Sequence, residues 1–219
     1  MNYYTENEIK KIVESVISQC AAAQQPPVTG GPVRVEASAR HTHLTKEAVE
    51  VLFGKGTKLT PKTYLSQPGE FLSEQRVTIV TYKGIFSNVA VLGPERSETQ
   101  VELSLSDSKT LGITLPINLS GNLNGAADIL LTGPCGVWQA KGAAIAVKAH
   151  IHMTPEDAAL YDVKDGEMIS VAVGIERPTI FKNVVIRVSP KFALAMHIDL
   201  DEANACALDK DTRGTILKK

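Results

Sequence analysis

No stretch of this chain is apolar for long enough to cross a bilayer. The longest apolar runs, such as Ala143 to Val147, last only a few residues, where a helical span needs about 20. Cysteine is scarce as well. Cys20, Cys135 and Cys206 are odd in number, widely spaced and never in a C-x-x-C pair. That argues against a disulfide framework, fits a reducing cytosol and leaves any metal to histidine and carboxylate. An excess of one charge is missing too: 23 basic and 24 acidic side chains give a formal charge of −1. There is thus no general field for nucleic acid or an anionic membrane, although a local basic pocket for an anionic substrate remains open. The G-x-G-x-x-G and P-loop phosphate cradles and the G-x-S-x-G nucleophile elbow are absent. So are the long alternating helices of a doubly wound sheet and the short repeats of a solenoid.

What the chain does have is a small, patterned set of histidines. All five fall into two pairs and a singleton: His41-Thr42-His43, His150-Ile151-His152, and His197. Side chains on a strand alternate with period two, so an H-x-H pair puts both imidazoles on one face, where they are natural ligands for a divalent cation such as zinc. The surroundings repeat as well. Gln100 to Asp107 lies over Ala195 to Glu202 without a gap, and in that register Glu102 occupies the place of His197. Each half therefore offers three ligand-capable side chains: His41, His43 and Glu102 in one, His150, His152 and His197 in the other. Three protein ligands with a position left open is the composition of a catalytic metal site, whereas four would be structural. A repeat of this length implies two related half-domains.

The amino terminus reads as a separate piece. Thr5 and Glu8 have the spacing of a capping box, and Ile9, Ile12, Val13, Val16 and Ile17 make one narrow apolar stripe. The helix lacks the basic excess and bulky aromatics of a membrane anchor and the continuous apolar core of a secretory signal. Docking into a partner's groove and folding back on its own body stay equally open. Residues 1–20 are assigned to this helix and 21–32 to a Pro/Gly-rich linker. From Val33 onward alternating strands predominate. Each H-x-H pair ends a strand and leads into a short helix, with Thr45 and Thr154 as caps and Pro155 at the first helical position; the first helix runs from Lys46 to Phe53 and stops at Gly54. The expected fold is mainly β with short helices (α+β): two related small β-barrels, each capped by one short helix, over residues 33–145 and 146–219, with the active site between them. The first strands are candidates for exchange between the halves.

Several long motifs occur in a familiar order: Ser38 to Leu44, Leu65 to Phe71, Val91 to Glu102, His150 to Ala158 and Met196 to Asn204. Over about residues 33–206 the chain closely resembles the PduL-type phosphate acyltransferases, the phosphate propanoyltransferases of bacterial microcompartments. The resemblance implies reversible acyl transfer between acyl-coenzyme A (propanoyl, with acetyl as the other option) and inorganic phosphate. It also implies two zinc ions per chain, held by the same two trios that the repeat selects. Arg96 matches the family's catalytic, phosphate-binding arginine, and Ala37, Ser38, Ala39, Lys83 and Asn204 match positions that contact coenzyme A. Where many relatives carry an arginine this chain has Ala90. Residues 1–20 look like the peptide that delivers such enzymes to microcompartment shell or core proteins, which implies a cytoplasmic enzyme inside that compartment.

Other readings remain. A zinc-dependent thioester or phosphoester hydrolase would use water in place of phosphate, and a non-enzymatic metal-binding scaffold would need no open ligand position. Arg187, alternating with apolar residues on a strand, fits a solvent-facing position and a substrate contact equally. Trp138 reads as a core or interface residue, and Cys135 and Cys206 as packing residues. The acyl chain, the pathway and the oligomeric state, a homodimer or larger assembly among the options, are left open.

Overall fold

The structure, a computed structural model, describes residues 5–22 and 30–217. In chain order its elements are α1 (Glu6–Ala22), β1 (Val33–Ser38), β2 (His41–His43), α2 (Lys46–Phe53), β3 (Pro61–Tyr64), β4 (Phe71–Val80), β5 (Ile85–Gly93), β6 (Gln100–Leu103), α3 (Leu105–Leu111), β7 (Ile117–Asn118), β8 (Ala127–Thr132), β9 (Val137–Val147), β10 (His150–Met153), α4 (Pro155–Tyr161), β11 (Met168–Val173), β12 (Thr179–Val188), β13 (Ala195–Asp199), α5 (Leu200–Ala205) and β14 (Arg213–Leu217).

Two barrels close around separate apolar cores. In one, the order β4-β5-β2-β6-β9-β8 returns to β4, with β3 and β7 added on β4 and β9. Its interior holds Leu44, Leu52, Ile79, Leu111 and Leu131, all fully buried. In the other, β11-β12-β10-β13-β1-β14 returns to β11 around Ile151, Met153, Ile186 and Met196. The pairings correspond one to one. β2 is parallel to β5 and antiparallel to β6, as β10 is to β12 and β13. β6 is parallel to β9, as β13 is to β1. Closing both sheets removes the unpaired edges that an open sheet would leave.

The strand before each H-x-H pair belongs to the opposite barrel. β1 pairs with β13 and β14, although the chain continues directly into β2. β9 pairs with β6 and β8, and the chain continues into β10. The chain therefore crosses between barrels at Ala39-Arg40 and again at Lys148-Ala149, and both histidine pairs begin just after a crossing. The boundary expected between residues 145 and 146 falls inside β9.

Where one short helix per half was expected, each barrel carries two. α2 and α4 follow the H-x-H strands, with Thr45 and Thr154 accepting from the backbone amides of Ala48 and Asp157. α3 and α5 follow the strands bearing Glu102 and His197, and each opens on a reciprocal capping box, Ser104/Asp107 and Asp199/Glu202. Such boxes satisfy amide donors that the first helical turn leaves unpaired. The spacing of these boxes, a capping side chain followed three residues later by an acid, is written in the sequence.

α1 is capped as the sequence suggests, the Thr5 amide donating to Glu8 Oε2 at 2.7 Å. Ile9, Ile12, Val13 and Val16 are each about half exposed, 48–52%, and every described side chain of the helix is exposed. The side chains of Ile17 and Cys20, and linker residues 23–29, lie outside the described residues. No described helix is long and apolar enough to cross a membrane.

Candidate metal centre

Strand register brings each trio together. His41 stands opposite Glu102 across β2 and β6, and His150 stands opposite His197 across β10 and β13. The gapless overlay of Glu102 on His197 is thus a structural equivalence. In the first trio His41 Nε2 lies 3.2 Å from His43 Nε2 and 3.3 Å from Glu102 Oε2, with His43 Nε2 3.8 Å from Glu102 Oε1. In the second, the ring centroids of His150, His152 and His197 are 4.7–5.4 Å apart. Each trio offers one ligand atom per residue, all within 4.8 Å of one another.

The crossovers orient the leading histidine of each pair. His41 Nδ1 donates to the Ala39 carbonyl at 2.8 Å and His150 Nδ1 to the Lys148 carbonyl at 2.9 Å. A proton held at Nδ1 leaves the Nε2 lone pair facing the site. Glu102 is held from behind: Gln100 Nε2 donates to its Oε1 at 2.5 Å, the Ser120 hydroxyl donates to the same oxygen at 2.8 Å, and the Gly121 amide donates to the Gln100 side-chain Oε1 at 2.8 Å. Sequence reading missed Gln100 and Ser120. Only the position of Gln100, two residues before Glu102 on one strand and hence on the same face, could have signalled it.

Among the described residues several buried nitrogens have no hydrogen-bond partner: His43 Nδ1, both ring nitrogens of His152, and His197 Nε2, the last 3.9 Å from Glu36 Oε2. Leaving a buried donor or acceptor unsatisfied costs roughly 1–3 kcal/mol each, so such a cluster suits a bound ligand. A cation accepting the Nε2 lone pairs fits this donor set of five imidazoles and a carboxylate, which is the chemistry of zinc more than of magnesium or calcium. The protonation balance agrees for four of the five imidazoles and for the carboxylate. Burial pushes His150 down to about 4 and His152 down to about 2, with the neighbouring histidines adding to the effect for His152. Burial also lowers His197, and burial followed by His41 lowers His43 well below the usual range. His41 moves the other way: burial disfavours its cation, but attraction to Glu102 outweighs this. Burial opposes the charge of Glu102, yet His41, His43 and Ser120 hold it ionised. Neutral imidazoles and an ionised carboxylate are the metal-ready forms.

Both trios open on one cleft of about 1020 Å³. Ala37, Ser38, Ala39, Ala90 and Arg96 line it as well, together with residues that sequence reading did not single out, Gln67, Glu70 and Phe192 among them. Arg96 donates to Glu70 Oε1 at 3.0 Å and reaches Ser120 Oγ at 3.5 Å. Arg187, left undecided from sequence, faces the cleft. Lys83 and Asn204 do not line it. Lys83 is exposed, its ammonium donating to the carbonyl of Lys109 in α3, and Asn204 is exposed in α5. These two helices meet where the Ser106 amide donates to Asp201 Oδ2 at 2.8 Å. Cys135 is exposed, and Cys206 is buried with its thiol pushed up by that burial; neither lines the cleft.

The loop between β3 and β4 straps the barrels together over the cleft. Gln67 Nε2 donates to the Ala193 carbonyl at 2.9 Å while the Ala193 amide donates back to Gln67 Oε1 at 3.2 Å. Beside it the Ser66 hydroxyl donates to Glu36 of β1 at 2.5 Å.

Comparison with known proteins agrees with this architecture. The family model described as phosphate propanoyltransferase matches residues 34–209. A phosphate propanoyltransferase of Enterococcus faecalis is 45% identical over 97% of this chain and 98% of its own length. One of Leptotrichia buccalis is 48% identical over 97% and 99%, and one of Thermotoga maritima is 47% identical over 80% and 84%. Since the match takes in both histidine pairs, Glu102, His197 and nearly every strand of both barrels, the chain belongs to the phosphate propanoyltransferase family of acyltransferases.

Proposed function

We propose that this chain catalyses reversible transfer of an acyl group between coenzyme A and inorganic phosphate, at a cleft that holds two zinc ions. The observation that carries the reading is the pair of equivalent trios, with unpartnered imidazole nitrogens, facing one cleft beside Arg96. His41, His43 and Glu102 hold one ion, and His150, His152 and His197 hold the other. When bound, zinc supplies a Lewis acid for a thioester carbonyl and a soft acceptor for sulfur.

The chain's own side chains do the rest. Arg96 offers planar, paired donors that hold and orient phosphate, and Glu70 and Ser120 aim it. A phosphate oxygen attacks the thioester carbonyl carbon; the new C–O bond forms as the C–S bond breaks, and the electron pair leaves on sulfur as coenzyme A thiolate. Ala37, Ser38 and Ala39 flank the thioester end of the cofactor, while Lys83 and Asn204, beside α3 and in α5, serve its distal end. Ala90 removes one anchor that an arginine would supply. The transfer is direct, with no acyl-enzyme. No cysteine lines the cleft among the described residues, and His41 Nδ1, whose N–H donates to the Ala39 carbonyl, cannot accept a proton from the Ser38 hydroxyl 3.4 Å away. α1, with its exposed apolar stripe, docks the enzyme in a bacterial microcompartment.

The test measures coenzyme A release from propanoyl- and acetyl-coenzyme A, with and without inorganic phosphate, before and after chelation. Release that depends on both phosphate and metal supports the reading. Phosphate-independent release would replace it with a thioester hydrolase, and a covalent acyl-protein found by mass spectrometry after quenching would overturn direct transfer.

A further inference from the structure

Arg187 lines the cleft beside the second trio and has had no role assigned to it. On β12 it lies opposite His152 in the register of β10. The equivalent position in the other barrel, opposite His43, is Leu92. Two copies of one fold thus differ by a cation at a position next to the site, and packing alone does not ask for that change. The guanidinium is partly buried and has no hydrogen-bond or ion-pair acceptor among the described residues. Phe192 keeps it in place: the ring stacks on His152 at 4.2 Å and carries the Arg187 guanidinium 5.7 Å from its centroid. A partly buried cation held against an aromatic face, with its donors free, is built to receive an anion.

We infer that Arg187 is a second phosphate-binding residue, gripping the phosphate or acyl phosphate from the second trio's side while Arg96 holds it from the first. This rests on the acyltransferase reading and names a residue for it. The choice of the reacting phosphate over the phosphates of coenzyme A follows from location. Arg187 lines the same cleft as Arg96 and both trios, and stands opposite His152 of the second. Arg34 and Arg40, near the positions assigned to the cofactor, are already paired with Glu36 and Asp107. A phosphate dianion also supplies the acceptor that Arg187, unlike the Glu70-paired Arg96, lacks.

Inorganic phosphate is titrated calorimetrically into the zinc-loaded full chain and into R187Q and R187K, with zinc content measured for each and KM determined separately for phosphate and for coenzyme A. R187Q should bind phosphate about ten-fold or more weakly, the loss typical of a hydrogen bond to a charged group. It should keep its zinc and its KM for coenzyme A, and R187K should recover part of the affinity through charge without the fork. Unchanged phosphate affinity in R187Q overturns the inference while leaving the acyltransferase reading intact. Loss of zinc, or a rise confined to the KM for coenzyme A, also overturns it. A wild-type chain that neither binds phosphate nor transfers acyl groups to it overturns both.

Discussion

His41 and His150 each commit one ring nitrogen to a carbonyl two residues back, but the support behind the two trios is unequal. Glu102 rests on the amide of Gln100 and the hydroxyl of Ser120, whereas Ala195, the counterpart of Gln100 opposite His152, offers no side-chain donor. Removing outer partners of a metal ligand typically lowers metal affinity about 10–100-fold. Gln100→Ala should therefore loosen one of two bound ions by about that factor and leave the other unchanged, checked by stepwise chelator titration with elemental analysis. Equal loosening of both, or of neither, would contradict the assignment of Glu102 to one site. The six ligand-capable residues were legible in the sequence because strand period and an internal repeat are local patterns. Gln67 and Glu70 were not, since their partners Ala193 and Arg96 are chosen across 126 and 26 residues of chain.

The four body helices are short, and their caps matter in proportion to that brevity. In α5 the cap carries a penalty. Burial, first, and the neighbouring Asp199 and Asp201 charges push Glu202 from its ordinary 4.5 up to about 7, against the pull of the Asp199 amide. Its folded pKa lies above its unfolded one, so between those values the folded chain holds a proton that the unfolded chain releases. Stability from this group is fully present below about 4.5 and declines as pH rises through about 7. Glu202→Gln keeps an acceptor for the capping amide without the charge. Its melting temperature should exceed the parent's at pH 8 and match it near pH 4.5; a variant that melts lower at pH 8 would mean that the helix dipole favours the carboxylate more than burial disfavours it. The H-x-H strands and the helices that follow them were readable from alternation, threonine caps and Pro155. α3 and α5 escaped because each follows its strand without a loop, so a single apolar pattern spans the change of period.

Because β1 and β9 exchange places, neither barrel is complete without the other's chain segment. Separate cores would ordinarily permit separate unfolding. Here, pulling one barrel apart removes a strand from the middle of the other's ring. Calorimetry of the metal-loaded protein should show one cooperative transition for the body, and chelation should lower its midpoint, since ions bound only by the folded form stabilise it. Two resolved transitions would mean that the exchanged strands carry little of the stability.

The two ligand-capable trios, the barrel class, the helical amino terminus and the family were all readable before folding, because each is written in short-range periodicity, repeated motifs or residue identity. Only the tertiary structure decided that the strand ahead of each histidine pair closes the opposite barrel. Strand pairing is a non-local choice among edges that look alike in sequence. That choice places both trios at the crossings, so that they open on one cleft, and it sets Arg187, undecided from sequence, on the wall of that cleft.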